Sequence, residues 1–430
     1  MVETETSGVT VPVGSKQARS TRAGTAPARR WLLAAMASVA LLGAACAAED
    51  EEGPAPAEGA QEEGASTAES SEDGTEEDAV TFDPPEHAVP VDYPPQPDDV
   101  PWPTDGWAEG TLPEDVDETA VRERLDVAFG EQSEDPAARF HAVLLVHGGE
   151  IVEERYHPEA ADEGTVHPSW SIAKSVTQAL IGVLVRDGHL DITEPAPVEQ
   201  WDDPDDPRSE ITTEMLLHMT DGLRFDEDYF TSGSDVLEML GGEGSDDMPA
   251  FAADMPLEND PGERMVYSTG TSNILAGIIG DEVGRGDDYR AFIDEELLDP
   301  LGIDDDQVDP GFDGAGNLVG GAQFNMTARA YAKFGLLYLR GGRWEDEQLL
   351  PEGWIDHART PAPEPVDAPG YGAQWWIDTE REGVFNASGF GGQRITVAPD
   401  RDLVIVVLSN RFDQAQAELT DDLLDAFDPS

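Results

Sequence analysis

Between Ser171 and Arg186 the chain is too apolar on most of its sides to form a surface helix, and Gly188 closes the stretch. A helix of that kind is central, so the rest of the fold must be wrapped around it. It opens on Ser171-Ile172-Ala173-Lys174, directly after His167-Pro168-Ser169-Trp170. Residues i and i+3 are neighbours on a helix, which puts Ser171 and Lys174 on one face of its first turn. A lysine taken out of water beside a hydroxyl loses affinity for its proton and can then act as the base for that hydroxyl. The Ser171 N–H, unpaired in a first turn, can help hold a developing oxyanion. A serine and a lysine on the exposed face of an ordinary helix would show the same spacing. What sets this pair apart is scarcity: the lysines are Lys16, Lys174 and Lys333, against 91 acidic residues.

The formal net charge of −66 over 430 residues leaves no basic patch to follow a phosphate backbone, so nucleic-acid binding is excluded as a function class. So few lysines among so many carboxylates suit a halophilic, salt-screened surface, and equally an acidic secreted protein. Arg19, Arg22, Arg29 and Arg30 precede an apolar run from Trp31 to Ala45 that ends at Cys46, the sole cysteine. That run is short for a membrane span and fits a signal-peptide core. Gly43-Ala44-Ala45-Cys46 is lipobox-like and Arg29-Arg30-Trp31-Leu32-Leu33 loosely matches a twin-arginine signal. Residues 1–46 are therefore expected to be a signal peptide with Cys46 as the lipidation site. The protein is expected to be exported and lipid-anchored on the outer face of the cell membrane, or else secreted. One cysteine excludes an intrachain disulfide. Residues 47–105 are expected to form an acidic, proline-rich, disordered tether, with Phe82 to Trp107 draped on the domain as an extended arm. Residues 106–430 form the domain.

Within that domain the pattern predicts a helix near Glu118–Phe129 and a hairpin of His141–His147 with Ile151–Tyr156 around Gly148-Gly149-Glu150. Short helices and loops follow to Arg329, then a helix at Thr327–Leu339. Strands at Val384–Ser388, Gln393–Ala398 and Leu403–Ser409 precede a closing helix at Ala415–Phe427. Strands and a helix at both chain ends, with helices between them, predict an α+β fold. One central antiparallel sheet is built from both termini and flanked by helices, beside a mainly helical lobe. A cleft between such lobes is the expected ligand site.

Two more segments are placed to reach that cleft. Tyr267-Ser268-Thr269 lies just ahead of a helix expected over Ser272–Gly284, and a phenol there can shuttle a proton if neighbouring cations lower its pKa. Ala387-Ser388-Gly389-Phe390-Gly391-Gly392 ends a strand, where glycine lets a substrate lie along the backbone and the Phe390 N–H can serve as a second oxyanion donor. Taken singly, Tyr267 also reads as a packed tyrosine and the glycine run as a hairpin turn. His218 and His189 have no partners at metal-ligand spacing. H-E-x-x-H, paired-cysteine, Walker and G-x-S-x-G patterns are all absent, so no metal and no nucleotide or other cofactor is expected.

In order and spacing, Ser171-x-x-Lys174, Tyr267-Ser268-Thr269 and Ser388-Gly389 resemble the motifs of the penicillin-recognising serine hydrolases. The branch they most resemble is that of the class C β-lactamase-related esterases and amidases, which includes the 6-aminohexanoate-dimer hydrolase group. Leu216-Leu217-His218-Met219-Thr220-Asp221-Gly222-Leu223, Asp299-Pro300-Leu301-Gly302, Phe334-Gly335-Leu336-Leu337 and Tyr371-Gly372-Ala373-Gln374-Trp375-Trp376 extend the likeness over roughly Phe140 to Ser409. It implies a β-lactamase/transpeptidase-like fold. It implies Ser171 as acylated nucleophile, Lys174 and Tyr267 as its proton network, and the Ser171 and Phe390 N–H groups as oxyanion donors, with Ser388 and Gly389 on the substrate strand. Trp170, Tyr229 and Trp375 are candidates for the cleft wall. Two positions depart from the family pattern: Thr269 stands where asparagine is frequent, and Ala387 where lysine or histidine is. In β-lactam-directed members a cation near that strand holds the substrate carboxylate, and its loss removes a contact worth about 1.5–3 kcal/mol. The expected substrate is therefore a small ester or amide. A β-lactamase or D-Ala-D-Ala carboxypeptidase, with Arg394 supplying the charge, and a catalytically inactive lipid-tethered binding protein are the alternatives.

Overall fold

The computed structural model describes residues 82, 88, 90–130, 139–361 and 370–427; the signal-peptide and Cys46 expectations lie outside them. The strands at the middle of the fold are written as unbroken apolar runs, the pattern of a strand covered on both faces. In β1 (Phe140–His147), Ala142, Leu144 and Val146 face one side and Val143 and Leu145 the other. The last strand, β9 (Leu403–Ser409), alternates likewise, with Val404, Val406 and Leu408 opposite Leu403, Ile405 and Val407. They pair antiparallel along their whole length, Leu144 opposite Val406. Beyond β1 lies β2 (Glu150–Tyr156). Beyond β9 lie β8 (Gln393–Ala398), β7 (Phe385–Gly389) and the short β6 (Trp376–Ile377). The order β2-β1-β9-β8-β7-β6 is the antiparallel sheet from both chain ends that the sequence predicts.

One face of the sheet is closed by α1 (Glu118–Gly130) and α5 (Ala415–Ala426), through Val121, Leu125, Leu419 and Leu423. The other face packs on α2 (Ile172–Arg186) and α4 (Ala328–Leu339). Every residue of α2 from Ile172 to Leu184 is buried, in keeping with its all-round apolar sequence. It packs in the helical lobe on α3 (Thr269–Val283), buried from Thr269 to Gly280. That helix begins three residues earlier than expected because Ser268 caps it, its hydroxyl accepting the Thr271 N–H at 3.0 Å.

A second sheet was not legible in the sequence because its strands are too short to show a period. β5 (Phe324–Thr327) lies between β3 (Val166–His167) and β4 (Val308–Pro310). It matters because it braces the turn ahead of α2. The Ser169 hydroxyl donates to the Ala322 carbonyl and accepts the Phe324 N–H at 2.7 Å, and Asn325 Oδ1 accepts the Ser169 N–H at 3.0 Å.

Residues 90–105, within the segment expected to drape on the domain as an extended arm, make specific contacts with it. Arg340 donates to the Pro94 carbonyl and to Gln96, each at 3.1 Å, while the Tyr93 hydroxyl donates to Asp356 at 2.8 Å. Trp102 packs on Trp344 with centroids 5.0 Å apart, and the Trp344 indole N–H reaches the Thr104 hydroxyl. These contacts give the arm the apolar and polar partners that proline-rich composition alone does not reveal. Lys333 completes the attachment. Its ammonium is buried and donates to the carbonyls of Gly302 (2.5 Å) and Thr104 (3.4 Å), and burial lowers its pKa to about 8. Gly302 sits at φ +62°, and a Cβ there would strike the Thr104 carbonyl. Lys333→Met keeps the stem and leaves two carbonyls unpaired, so a loss of about 1–3 kcal/mol is expected in urea unfolding. An unchanged midpoint would show that the arm is held without this lysine.

Candidate active site

The site is assembled where the N-terminus of α2 meets the end of β7 and the start of α3. Trp170, the residue before Ser171, has φ +46°, a backbone that non-glycine residues seldom adopt. With Ser169 fixed from behind by β5, that turn presents Ser171 at the N-cap of α2. The end of β7 passes hard against it, since a Cβ on Gly389 would collide with the Ser169 carbonyl. The N–H groups of Ser171 and Phe390 donate to no protein acceptor among the described residues, and both residues line one cleft of about 1000 Å³.

Lys174 lies one turn inside. Its Nζ is 3.3 Å from Ser171 Oγ, 2.9 Å from Thr269 Oγ1 and 2.7 Å from the Gly321 carbonyl. Burial pulls its pKa down to about 8, against the opposing field of Glu227. A neutral amine has two N–H bonds and one lone pair. Gly321 can only accept. Thr269 must accept as well, because its own hydroxyl proton goes to Glu227 in a short hydrogen bond. Both N–H groups are thereby assigned, and the lone pair is left for the Ser171 proton. Tyr267 completes the group: it lines the cleft beside Ser171, with its ring 5.1 Å from Lys174 Nζ. Burial drives the Tyr267 pKa well up, which the neighbouring Ser171 hydroxyl only partly offsets, so the phenol keeps its proton. The sequence-level idea of a cation-lowered phenol is corrected accordingly: the group with the shifted, accessible pKa is the lysine.

Sequence reasoning did not find Glu227. Its carboxylate accepts the Thr269 N–H at 2.8 Å and the Tyr229 hydroxyl at 3.0 Å, besides the Thr269 hydroxyl. One acidic residue among 91 gives no signal of its own. The place where asparagine is frequent in the family is thus filled by Thr269 backed by a carboxylate. Because that charge favours the ammonium of Lys174, Glu227→Gln is expected to lower the Lys174 pKa. The acid limb of kcat/KM would then move to lower pH, and a limb that stays or moves up would exclude this coupling.

Of the cleft-wall candidates, Trp170 and Tyr229 line the cleft but Trp375 does not. Trp375 is fully buried between Phe334, Tyr338 and Phe385, and it is the next residue, Trp376, that faces the cleft and stacks on Tyr267 at 5.6 Å. Ser388 lines the cleft, while Ala387 points into the core. His218 does have partners. His357 Nε2 lies 2.7 Å from Glu214, across 143 residues of sequence, and His218 lies 3.4 Å from the same carboxylate. One ligand-type atom from each of the three lies within 4.8 Å of the others. Burial holds His218 neutral, with a pKa near 4, and none of the three lines the cleft.

An antiparallel sheet closed by helices on both faces, with a buried lysine one turn behind a serine at a helix N-cap, defines the class as a serine hydrolase of α+β, β-lactamase/transpeptidase-like fold. The chain belongs to the Beta-lactamase family, whose model matches residues 127–427. It is 26% identical over 291 residues to the 6-aminohexanoate-dimer hydrolase of Paenarthrobacter ureafaciens, covering 63% of this chain and 72% of the relative. Among solved structures, a Bacillus anthracis protein provisionally assigned as a 6-aminohexanoate-dimer hydrolase superposes with a TM-score of 0.60. It is 20% identical and covers 80% of this chain and 91% of its own. The octameric penicillin-binding protein homologue of Pyrococcus abyssi gives a TM-score of 0.55 at 21% identity, covering 72% of this chain and 76% of its own.

Proposed function

We propose that the protein cleaves the ester or amide bond of a small substrate through an acyl-enzyme on Ser171. The observation that carries the reading is the hydrogen-bond set of Lys174, which leaves one lone pair and directs it at Ser171 Oγ. Ser171 Oγ attacks the carbonyl carbon as its proton passes to Lys174 Nζ. The oxyanion is met by the N–H groups of Ser171 and Phe390. As the tetrahedral intermediate collapses, the proton returns from Lys174, with the neutral Tyr267 hydroxyl bridging, to the departing alcohol or amine. Water then attacks the acyl carbon as its proton passes to Lys174 Nζ; the acyl–Oγ bond breaks, that proton goes to Ser171 Oγ, and the acid leaves. The Paenarthrobacter relative, named for hydrolysis of an amide dimer, supports amides within the range. The test is a panel of short esters, linear amides and β-lactams, with intact-mass detection of the acyl-enzyme. Turnover with an adduct on Ser171 supports the reading, and inertness of folded protein toward the whole panel overturns it.

A second reading, a β-lactamase or carboxypeptidase, is favoured by Arg394. It lines the cleft opposite Ser388 in the β7–β8 ladder, and no hydrogen bond or ion pair engages its guanidinium among the described residues. Stable trapping by penicillin would favour that reading. We further propose export with Cys46 as a lipid anchor, supported by the arginines and apolar run ahead of it. Loss of membrane association in Cys46→Ser is the expected outcome.

A further inference from the structure

Three large apolar side chains are exposed among the described residues: Val127, Phe230 and Phe412. Two of them meet at one place. Phe412 packs on Phe390 with centroids 4.9 Å apart, and Phe230 approaches the same ring at 6.4 Å. Phe390 is also met edge-on by Trp170 at 5.6 Å and stacked by Tyr229 at 5.7 Å. The five rings come from four separate segments; Trp170, Tyr229 and Phe390 line the cleft with Ser171, and Phe230 and Phe412 extend the patch beyond it. Phe230 and Phe412 remain 50% and 42% exposed on a chain of net charge −66, where water-facing aromatics have no solubility role. Local polar contacts hold them outward. Asp228 accepts the Phe230 N–H at 2.8 Å, and Arg411 is paired with Asp413 on either side of Phe412.

Charged side chains also line the cleft, namely Asp378, Glu380, Arg381, Arg394 and Asp421, beside Tyr267, Trp376 and Ile377. Ser171 shares its cleft with an aromatic flank, Trp170, Tyr229 and Phe390, that continues outward to the exposed Phe230 and Phe412. We propose that Phe230, Phe390 and Phe412 form a subsite for an unbranched apolar chain, so that the substrates are esters or amides with an alkyl chain on one side of the scissile bond. The proposal rests on the hydrolase reading above and names the substrate class of the same site. Ordering an alkyl chain on rings already fixed in place costs little, and each methylene buried there adds to affinity in proportion to the area removed from water.

Binding is measured in Ser171→Ala protein, which cannot turn over. One ester series varies the acyl chain from two to ten carbons as methyl esters, and a second varies the alcohol as acetates; quenching of tryptophan fluorescence gives Kd. In one of the two series Kd is expected to fall about two- to fourfold per added methylene, and that slope is expected to vanish with Phe230→Ser and Phe412→Ser added. Their exposure keeps both substitutions out of the core, and circular dichroism checks the fold. A Kd independent of chain length in both series overturns the proposal, as does a slope that survives the two substitutions. So does a double variant that dissociates an oligomer in sedimentation while ester binding is unchanged, which would make the patch a contact between copies. A slope in binding together with wild-type protein that hydrolyses none of these esters would leave the subsite standing and remove the hydrolase reading instead.

Discussion

Ser171→Ala is expected to lower kcat/KM by about 10³–10⁶-fold on any ester or amide the wild type cleaves, with the fold intact. The size follows from the geometry. Of the two hydroxyls hydrogen-bonded to the Lys174 amine, only that of Ser171 belongs to a residue lining the cleft with the two unengaged N–H groups. Thr269 is the other hydroxyl near that amine, but it is fully buried and its proton is committed to Glu227, so it cannot stand in. Removing Oγ leaves the oxyanion donors and the aromatic flank in place. Substrate binding is thus expected to survive while the chemical step is lost. Weakened binding with a preserved rate of chemistry would mean that Ser171 positions the substrate and another group attacks it.

Lys174→Ala carries the second large effect, a fall of about 10²–10⁴-fold in kcat/KM together with a changed pH profile. The sign follows from the shifted pKa. Burial lowers the Lys174 pKa from 10.5 to about 8, and only the neutral amine can take the Ser171 proton. Wild-type kcat/KM is therefore expected to rise about tenfold per pH unit below about 8 and to level off above it. In Lys174→Ala the levelling near pH 8 disappears, and the small rate that remains keeps rising with hydroxide through that range. The substitution also leaves the Gly321 carbonyl unpaired, so a stability loss of about 1–3 kcal/mol accompanies it. Lys174→Met refills the volume but leaves the same carbonyl unpaired; a native circular dichroism spectrum with unrecovered activity assigns the loss of turnover to the missing base. A break near pH 8 that persists in either variant would place the base elsewhere.

Much of this site was legible because its parts obey strong local rules. An all-round apolar helix has to be central, and a serine and lysine three apart at its start have to share a face. The strands that read as unbroken apolar runs, β1 and β9, are the middle of the sheet, where burial on both faces leaves no other pattern. What escaped was tertiary. Glu227 is an ordinary carboxylate until a loop brings it under Thr269. The Glu214–His357 pair joins residues in different parts of the chain. Trp376 rather than Trp375 reaches the cleft, just after Gln374 turns the backbone at φ +61°, so strand alternation cannot be counted through it. The arm at residues 90–105 is polar and proline-rich in sequence, and its order comes from Arg340, Trp344 and Lys333 far along the chain. Local pattern fixes which residues can do chemistry. The non-local contacts decide which side chain is left with a lone pair, and in which direction it points.

The most direct test is to treat the folded domain, in molar salt, with a fluorophosphonate and map the modified peptide by mass spectrometry, with Lys174→Ala in parallel. A hydroxyl reacts with such a probe only when a base takes its proton during attack. The expected result is a single adduct on Ser171 in the wild type, formed faster as pH rises to about 8 and absent from Lys174→Ala. Folded wild-type protein that takes no label, or a Ser171 adduct that forms equally without Lys174, would contradict the assignment of an activated nucleophile to this cleft.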